Sequence, residues 1–132
     1  MKKVALVTAL LITTAFSINS QATEKICFYS HGMDNVANRG DYFTSEITAQ
    51  KLTVQSVVGG ASWDGQFPIS KQAPTIGRDG KTYLNAIANG EEGCDTILVN
   101  KDLLQAGTTG YIKFRCRGEG FDEAVFFCRD SR

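Results

Sequence analysis

Four cysteines, Cys27, Cys94, Cys116 and Cys128, stand behind an N-terminus built for export, and this combination constrains the fold more than any other feature of the chain. Met1-Lys2-Lys3 is a basic head. Val4 to Phe16 is an apolar run interrupted only by Thr8, Thr13 and Thr14, and Ser20-Gln21-Ala22 supplies the small residues that precede a cut. These are the three parts of a signal peptide, and the run is too short to cross a hydrocarbon core of about 30 Å comfortably. Cleavage after Ala22 leaves Thr23–Arg132, about 110 of the 132 residues, the size of one domain. The expected location is the periplasm or the exterior, where disulfides persist.

The four cysteines allow three pairings. If Cys94–Val99 runs antiparallel to Tyr111–Cys116 across the Asn100–Gly110 connection, Cys94 faces Cys116, Val99 faces Tyr111, Leu98 faces Ile112 and Thr96 faces Phe114. A Cys94–Cys116 bridge then closes this ribbon, and Cys27–Cys128 ties the first strand to the last. The local pair Cys116–Cys128 fits less well. A hairpin turning near Glu119-Gly120 puts Cys116 opposite Ala124, leaving Cys128 roughly 13 Å away along the strand. With no C-x-x-C and no histidine beside the later cysteines, a metal or redox role is not expected.

The rest of the mature chain reads as strands. Ile26 to Tyr29 suits a buried strand, and His31 to Asp41, rich in Gly, Asn and Asp, reads as a loop. Leu52, Val54, Ser56 and Val58 alternate with Thr53, Gln55 and Val57. Ile47 is out of phase with Leu52, which predicts a bulge near Ala49–Gln50. Asp64-Gly65 signals a two-residue hairpin turn. Phe67-Pro68-Ile69 is then the return strand, with Pro68 at a sheet edge. Asp79-Gly80 marks a further turn. Tyr83, Leu84 and Ile87 share a helical face, so Thr82 to Asn89 is the best helix candidate, capped by Thr82 and ended by Gly90, with a strand as the alternative. Asn100 caps a single helical turn over Lys101–Ala106, closed by Gly107. Thr96–Val99, Tyr111–Cys116 and Ala124–Cys128 are strands. The expected fold is mainly β: one antiparallel domain, a Greek-key sandwich or small barrel with one short helix, stapled by disulfides.

Charge narrows the partners. The chain carries 14 basic and 14 acidic residues, and losing Lys2 and Lys3 with the leader leaves a slight acidic excess. Acidic residues interrupt the basic tail, so nucleic-acid binding and membrane insertion after cleavage are not expected. His31 is the only histidine. Its spacing from Ser30 and Asp34 matches no catalytic motif, and no G-x-S-x-G is present. The acidic clusters Glu91-Glu92 and Glu119/Asp122/Glu123 are ordinary for a surface, and neither Asp34-Asn35 nor Asp64-Gly65 has calcium-loop spacing. No cofactor or metal is expected.

Arg39-Gly40-Asp41 resembles the integrin-recognition tripeptide, although by chance it occurs in about 2% of chains this long. Ile26 to Tyr29, followed by Arg39 to Phe43, resembles the opening of a βγ-crystallin Greek key, but Tyr29 and Gly40 are spaced too widely for that corner. Most aromatic residues are expected in the core. Trp63, beside Asp64 at a hairpin tip, is the expected exception, and exposed tryptophans make good anchors. The function expected from the residues is non-enzymatic recognition of an extracytoplasmic protein or glycan. Inhibition of an extracellular hydrolase is its sharpest form, and a host-directed effector or an immunity protein are close variants. Trp63, Asp64, Arg39, Asp41 and His31 are the candidate contacts. The competing expectations are a small secreted hydrolase using His31 with a carboxylate, and a structural envelope component.

Overall fold

The computed structural model describes residues 22–32, 40–58, 64–88, 94–118 and 120–132, with the backbone alone at 56–58, 116–118 and 120–122. The expected leader, up to residue 21, therefore lies outside the described residues. So do Gly59-Gly60, Arg39, Trp63 and Glu91-Glu92.

Period-2 alternation dominates the described chain, and most of it is strand. The strands are β1 (Thr23–Gly32), β2 (Tyr42–Ile47), β3 (Lys51–Val58), β4 (Gly65–Pro68), β5 (Thr75–Ile76), β6 (Thr82–Ile87), β7 (Cys94–Asn100), β8 (Gly110–Gly118) and β9 (Gly120–Asp130). They form one antiparallel sheet in the order β4-β3-β2-β1-β9-β8-β7-β6-β5, curled into a half-barrel. Strands consecutive in the chain are neighbours in the sheet except β4 and β5, which form its two edges, and the first and last strands pair. The connection is thus an up-and-down meander, where the sequence had suggested a Greek key. Past β4, Ile69 bridges Ala86 of β6, and the Ser70 N–H donates to the Asn85 carbonyl at 2.7 Å. Among the described residues no helix is long and apolar enough to cross a membrane.

The core lies on the concave face. Cys27, Phe43, Ile47, Leu52, Ile97, Val99, Ile112, Phe114, Phe126 and Cys128 are all buried there. Phe126 stands at its centre, with ring centroids 4.9 Å from Phe43 and 5.5 Å from Phe114. Cys27 and Cys128 are register partners joined by a disulfide, as the pairing argument expected. Cys94 is also disulfide-bonded, and its backbone partner across the β7–β8 ladder is Cys116.

Three local expectations change. Thr82–Ile87 is strand β6, not a helix. Its Tyr83-Leu84-Ile87 spacing fits a helical face, but β7 and β5 flank it and take up its backbone hydrogen bonds. The helical element that does form is a 3-10 helix over Lys101–Leu104, where Asn100 Oδ1 accepts the Asp102 N–H at 2.9 Å. Ile47 and Leu52 are out of phase because a turn, not a bulge, separates them. They are cross-strand partners, both fully buried, and the Thr48 N–H donates to the Lys51 carbonyl. Gly65 is not in a two-residue turn. It is the first residue of β4 and pairs with Val54, while Pro68 does sit on the edge strand.

The β7–β8 register also differs from the expected one. It shifts between Cys94 and Thr96, so Ile97 faces Phe114 and Val99 faces Ile112, while Leu98 faces Lys113 and Thr96 faces Arg115. The shift sends Ile97 and Val99 into the core and turns Leu98 to the convex face. In the last hairpin, Cys116 lies opposite Asp122, not Ala124.

At one end of the half-barrel a buried lysine ties the termini to the 3-10 connection. The Lys25 side chain is 0% exposed, and its Nζ donates to the Gln105 and Thr108 carbonyls at 3.0 and 2.7 Å, to Thr108 Oγ1 and to Asp130 Oδ1 at 2.6 Å. A buried ammonium is tolerated only when so fully paired. Lys25→Met should therefore cost about 3 kcal/mol, the low end for a broken buried pair, because half-exposed Asp130 regains water. Denaturant unfolding measures it, and a loss under about 1 kcal/mol would show the network to be incidental.

Candidate functional site

The meander delivers three of the expected contact residues, His31, Asp41 and Asp64, to the other end. β1 ends at Gly32, β2 starts at Tyr42, β3 ends at Val58 and β4 starts at Gly65. The connections 33–41 and 59–64 therefore leave from the same end, where β6 also hands over to β7 and β8 to β9. His31, expected in a loop, lies in β1 just past a register shift; it is exposed, and its Nδ1 is 2.9 Å from Ser30 Oγ. Asp41 is half-buried, and its carbonyl accepts the Tyr29 N–H at 3.0 Å. Asp64 is exposed. Gly32, at φ 123°, approaches β9 so closely that a Cβ there would run into the Glu123 carbonyl oxygen, which pins this end of β1. Among the described residues no three His, Cys, Asp or Glu side chains converge on a point.

The convex face carries a feature that sequence reasoning missed. Phe28-Tyr29, Tyr42-Phe43 and Phe126-Phe127 are adjacent aromatic pairs, and a strand must send the two members of each pair to opposite faces. Tyr29, Phe43 and Phe126 pack inward. Tyr42, Phe28 and Phe127 point outward and are joined by Tyr111. These four are register partners in turn, Tyr42 to Phe28 to Phe127 to Tyr111, so they form a row straight across β2, β1, β9 and β8. Ring centroids are 5.7 Å apart for Phe28–Tyr42 and 5.5 Å for Tyr111–Phe127. Arg129 sits 5.3 Å over the Phe28 ring. Phe28 and Phe127 remain 36% and 38% exposed. The expectation that most aromatics are core thus fails for this row, and the adjacent pairs were the signal for it.

Next to the row, Lys113 stands 4.6 Å over the Tyr83 ring. The Tyr83 hydroxyl donates to Asp79 Oδ2 at 2.7 Å, and the Lys81 N–H donates to Asp79 Oδ1 at 3.0 Å. Burial, then the Asp79 carboxylate, pushes the Tyr83 phenol well above its ordinary value. Bonds from the Tyr83 hydroxyl and the Lys81 N–H hold Asp79 below the usual carboxylate range. Asp130 is lowered in the same way, by Lys25 and then by the Gly107 N–H.

A carboxylate lowered in the folded state contributes stability above its unfolded value of about 4 and loses it as pH falls through the folded value. Stability should therefore hold near neutral pH and decline below about pH 4, while the raised Tyr83 phenol withdraws its share only above about pH 10. Thermal unfolding at stepped pH checks this. Asp130→Asn should flatten the acid limb, and an unchanged limb would remove Asp130 as its source.

These groups offer apolar ring faces beside cations on a continuous sheet. That is equipment for binding. At the loop end, the Ser30 hydroxyl and the His31 imidazole are a separate pair within hydrogen-bond distance, both exposed. Compared with family models, with curated proteins and with solved structures, the chain matches none.

Proposed function

We propose that the protein is an extracytoplasmic, non-enzymatic binding protein whose contact surface is the convex aromatic row. The observation that carries this reading is the row itself. The solvent face of an antiparallel sheet is ordinarily polar. Here four aromatic side chains lie in register across four strands, two of them more than a third exposed. Contiguous exposed apolar surface marks interaction sites, and Phe, Tyr and Arg are the residues enriched in them. A glycan is the favoured ligand, because ring faces beside cations suit sugars. A protein, including an extracellular hydrolase to be inhibited, is the other outcome of the test.

The disulfide of Cys27 with Cys128 and the bonded state of Cys94 support an oxidising compartment, hence export by the N-terminal leader. We read the sheet as a small barrel rather than a sandwich, on the strength of the Ile69–Ala86 bridge, which joins the segment after edge strand β4 to β6 on the far side of the sheet.

The test is a glycan array together with capture from envelope extract and culture secretions, using the purified oxidised protein. A Phe28→Ala/Phe127→Ala variant should keep its circular dichroism and lose at least about tenfold in affinity, the scale of a hot spot. Unchanged binding in that variant, with loss on changing Trp63 or Asp64 instead, would move the site to the loop end. Hydrolysis that falls by orders of magnitude in His31→Ala would favour the enzyme reading.

A further inference from the structure

We propose that the convex groove beside the aromatic row binds the acidic group, carboxylate or sulfate, of an anionic sugar. This inference rests on the aromatic-face reading and names the ligand class. The groove has a volume of about 510 Å³ and is lined by Gly77, Arg78, Leu98, Lys113, Arg115 and Glu123. Its floor is Leu98, only 2% exposed and turned outward by the register shift in β7.

Charge in the groove is unbalanced. Three cations face one carboxylate, and that carboxylate is engaged: Arg115 Nε donates to Glu123 Oε2 at 3.0 Å. Arg78 makes no ion pair among the described residues. Lys113 is steadied by the Tyr83 ring, and nearby Asp79 is committed to the Tyr83 hydroxyl and the Lys81 N–H. Lys113 is therefore positioned beside an apolar floor that exposed Arg78 also lines, with no carboxylate bonded to either. A bound anion there gains charge-assisted hydrogen bonds, with the planar guanidinium giving a two-point grip.

The apolar part of the ligand is also provided for. Tyr111 lies two residues before Lys113 on β8, on the same face and roughly 7 Å away, and it continues into the Phe127–Phe28–Tyr42 row. The interior strands β8, β9 and β1 have neighbours on both sides. An extended peptide therefore cannot add here as a strand, and recognition must go through side chains. A ring with an apolar face and an acidic substituent meets both halves of this surface.

The experiment is a nitrogen-15 NMR titration of the purified oxidised protein with tri-galacturonic acid, with its methyl ester and with sodium sulfate alone. The acid should shift the Arg78, Leu98, Lys113 and Arg115 amides saturably, with the ester at least about tenfold weaker. Arg78→Ala and Lys113→Gln should each weaken the acid by a similar factor while leaving other resonances in place. Equal binding of acid and ester overturns the anion groove but leaves the aromatic face standing. Sulfate alone matching the trimer overturns the sugar class. No saturable shift at these amides in any arm overturns the groove, and the aromatic face is then judged separately on the Phe28→Ala/Phe127→Ala variant.

Discussion

Replacing both Cys27 and Cys128 by alanine is expected to lower the unfolding free energy by about 5 kcal/mol and the melting temperature by roughly 20 °C. The bridge spans a sequence separation of 101 residues, nearly the whole chain that remains after the expected leader. Closing so long a loop removes more entropy from the unfolded chain than a local bridge does. It also staples β1 to β9, the pair that joins the first and last strands. Alanine is the right replacement: both cysteines are fully buried, and a serine would add unsatisfied hydroxyls to the measurement. Denaturant and thermal unfolding of the oxidised parent and the variant give the difference. A loss below about 1 kcal/mol would mean that the β1–β9 hydrogen bonds hold the termini without covalent help.

Phe126→Ala should cost about 4 kcal/mol, the ordinary range for removing a buried phenylalanine. Phe126 is 2% exposed and meets three other rings: Phe43 at 4.9 Å, Phe114 at 5.5 Å and Tyr29 at 5.8 Å. Its loss leaves a cavity where β1, β2, β8 and β9 meet, and removes edge-to-face contacts as well. The informative control is its neighbour. Phe127→Ala, on the convex face, should cost about 1 kcal/mol or less. Equal effects at the two positions, measured by urea unfolding, would contradict the inward and outward assignment on which the aromatic row depends.

Much of the fold was legible where a residue has a local reason to be where it is. Asp79-Gly80 makes its turn because Gly80 takes φ 76°, a value open to glycine. Asn100 caps its helical turn, and Pro68, lacking a donor, sits on an edge strand. Cys27 and Cys128 pair because each lies in a strand that the meander makes neighbours.

Other features were hidden for equally physical reasons. The Tyr83-Leu84-Ile87 spacing is compatible with helix or strand, and the flanking β5 and β7 decide for strand. A one-residue register shift at Asp95 leaves no mark in composition, yet it reverses which of Ile97 and Leu98 is core. Lys25 looks like any surface lysine until four acceptors from two distant segments surround it. Of the candidate contacts, the placement of His31, Asp41 and Asp64 at one end depends on strand direction alone. The aromatic row required knowing that four strands are neighbours.

The chain by itself determined the β class, the Asp79-Gly80 turn, the expectation of export and the cysteine staple, because period-2 alternation, glycine and proline geometry and thiol chemistry are local properties. The tertiary structure alone decided the up-and-down order, the register and the identity of the convex face. Those depend on which strands meet, and a shift of one residue in that meeting exchanges core for surface.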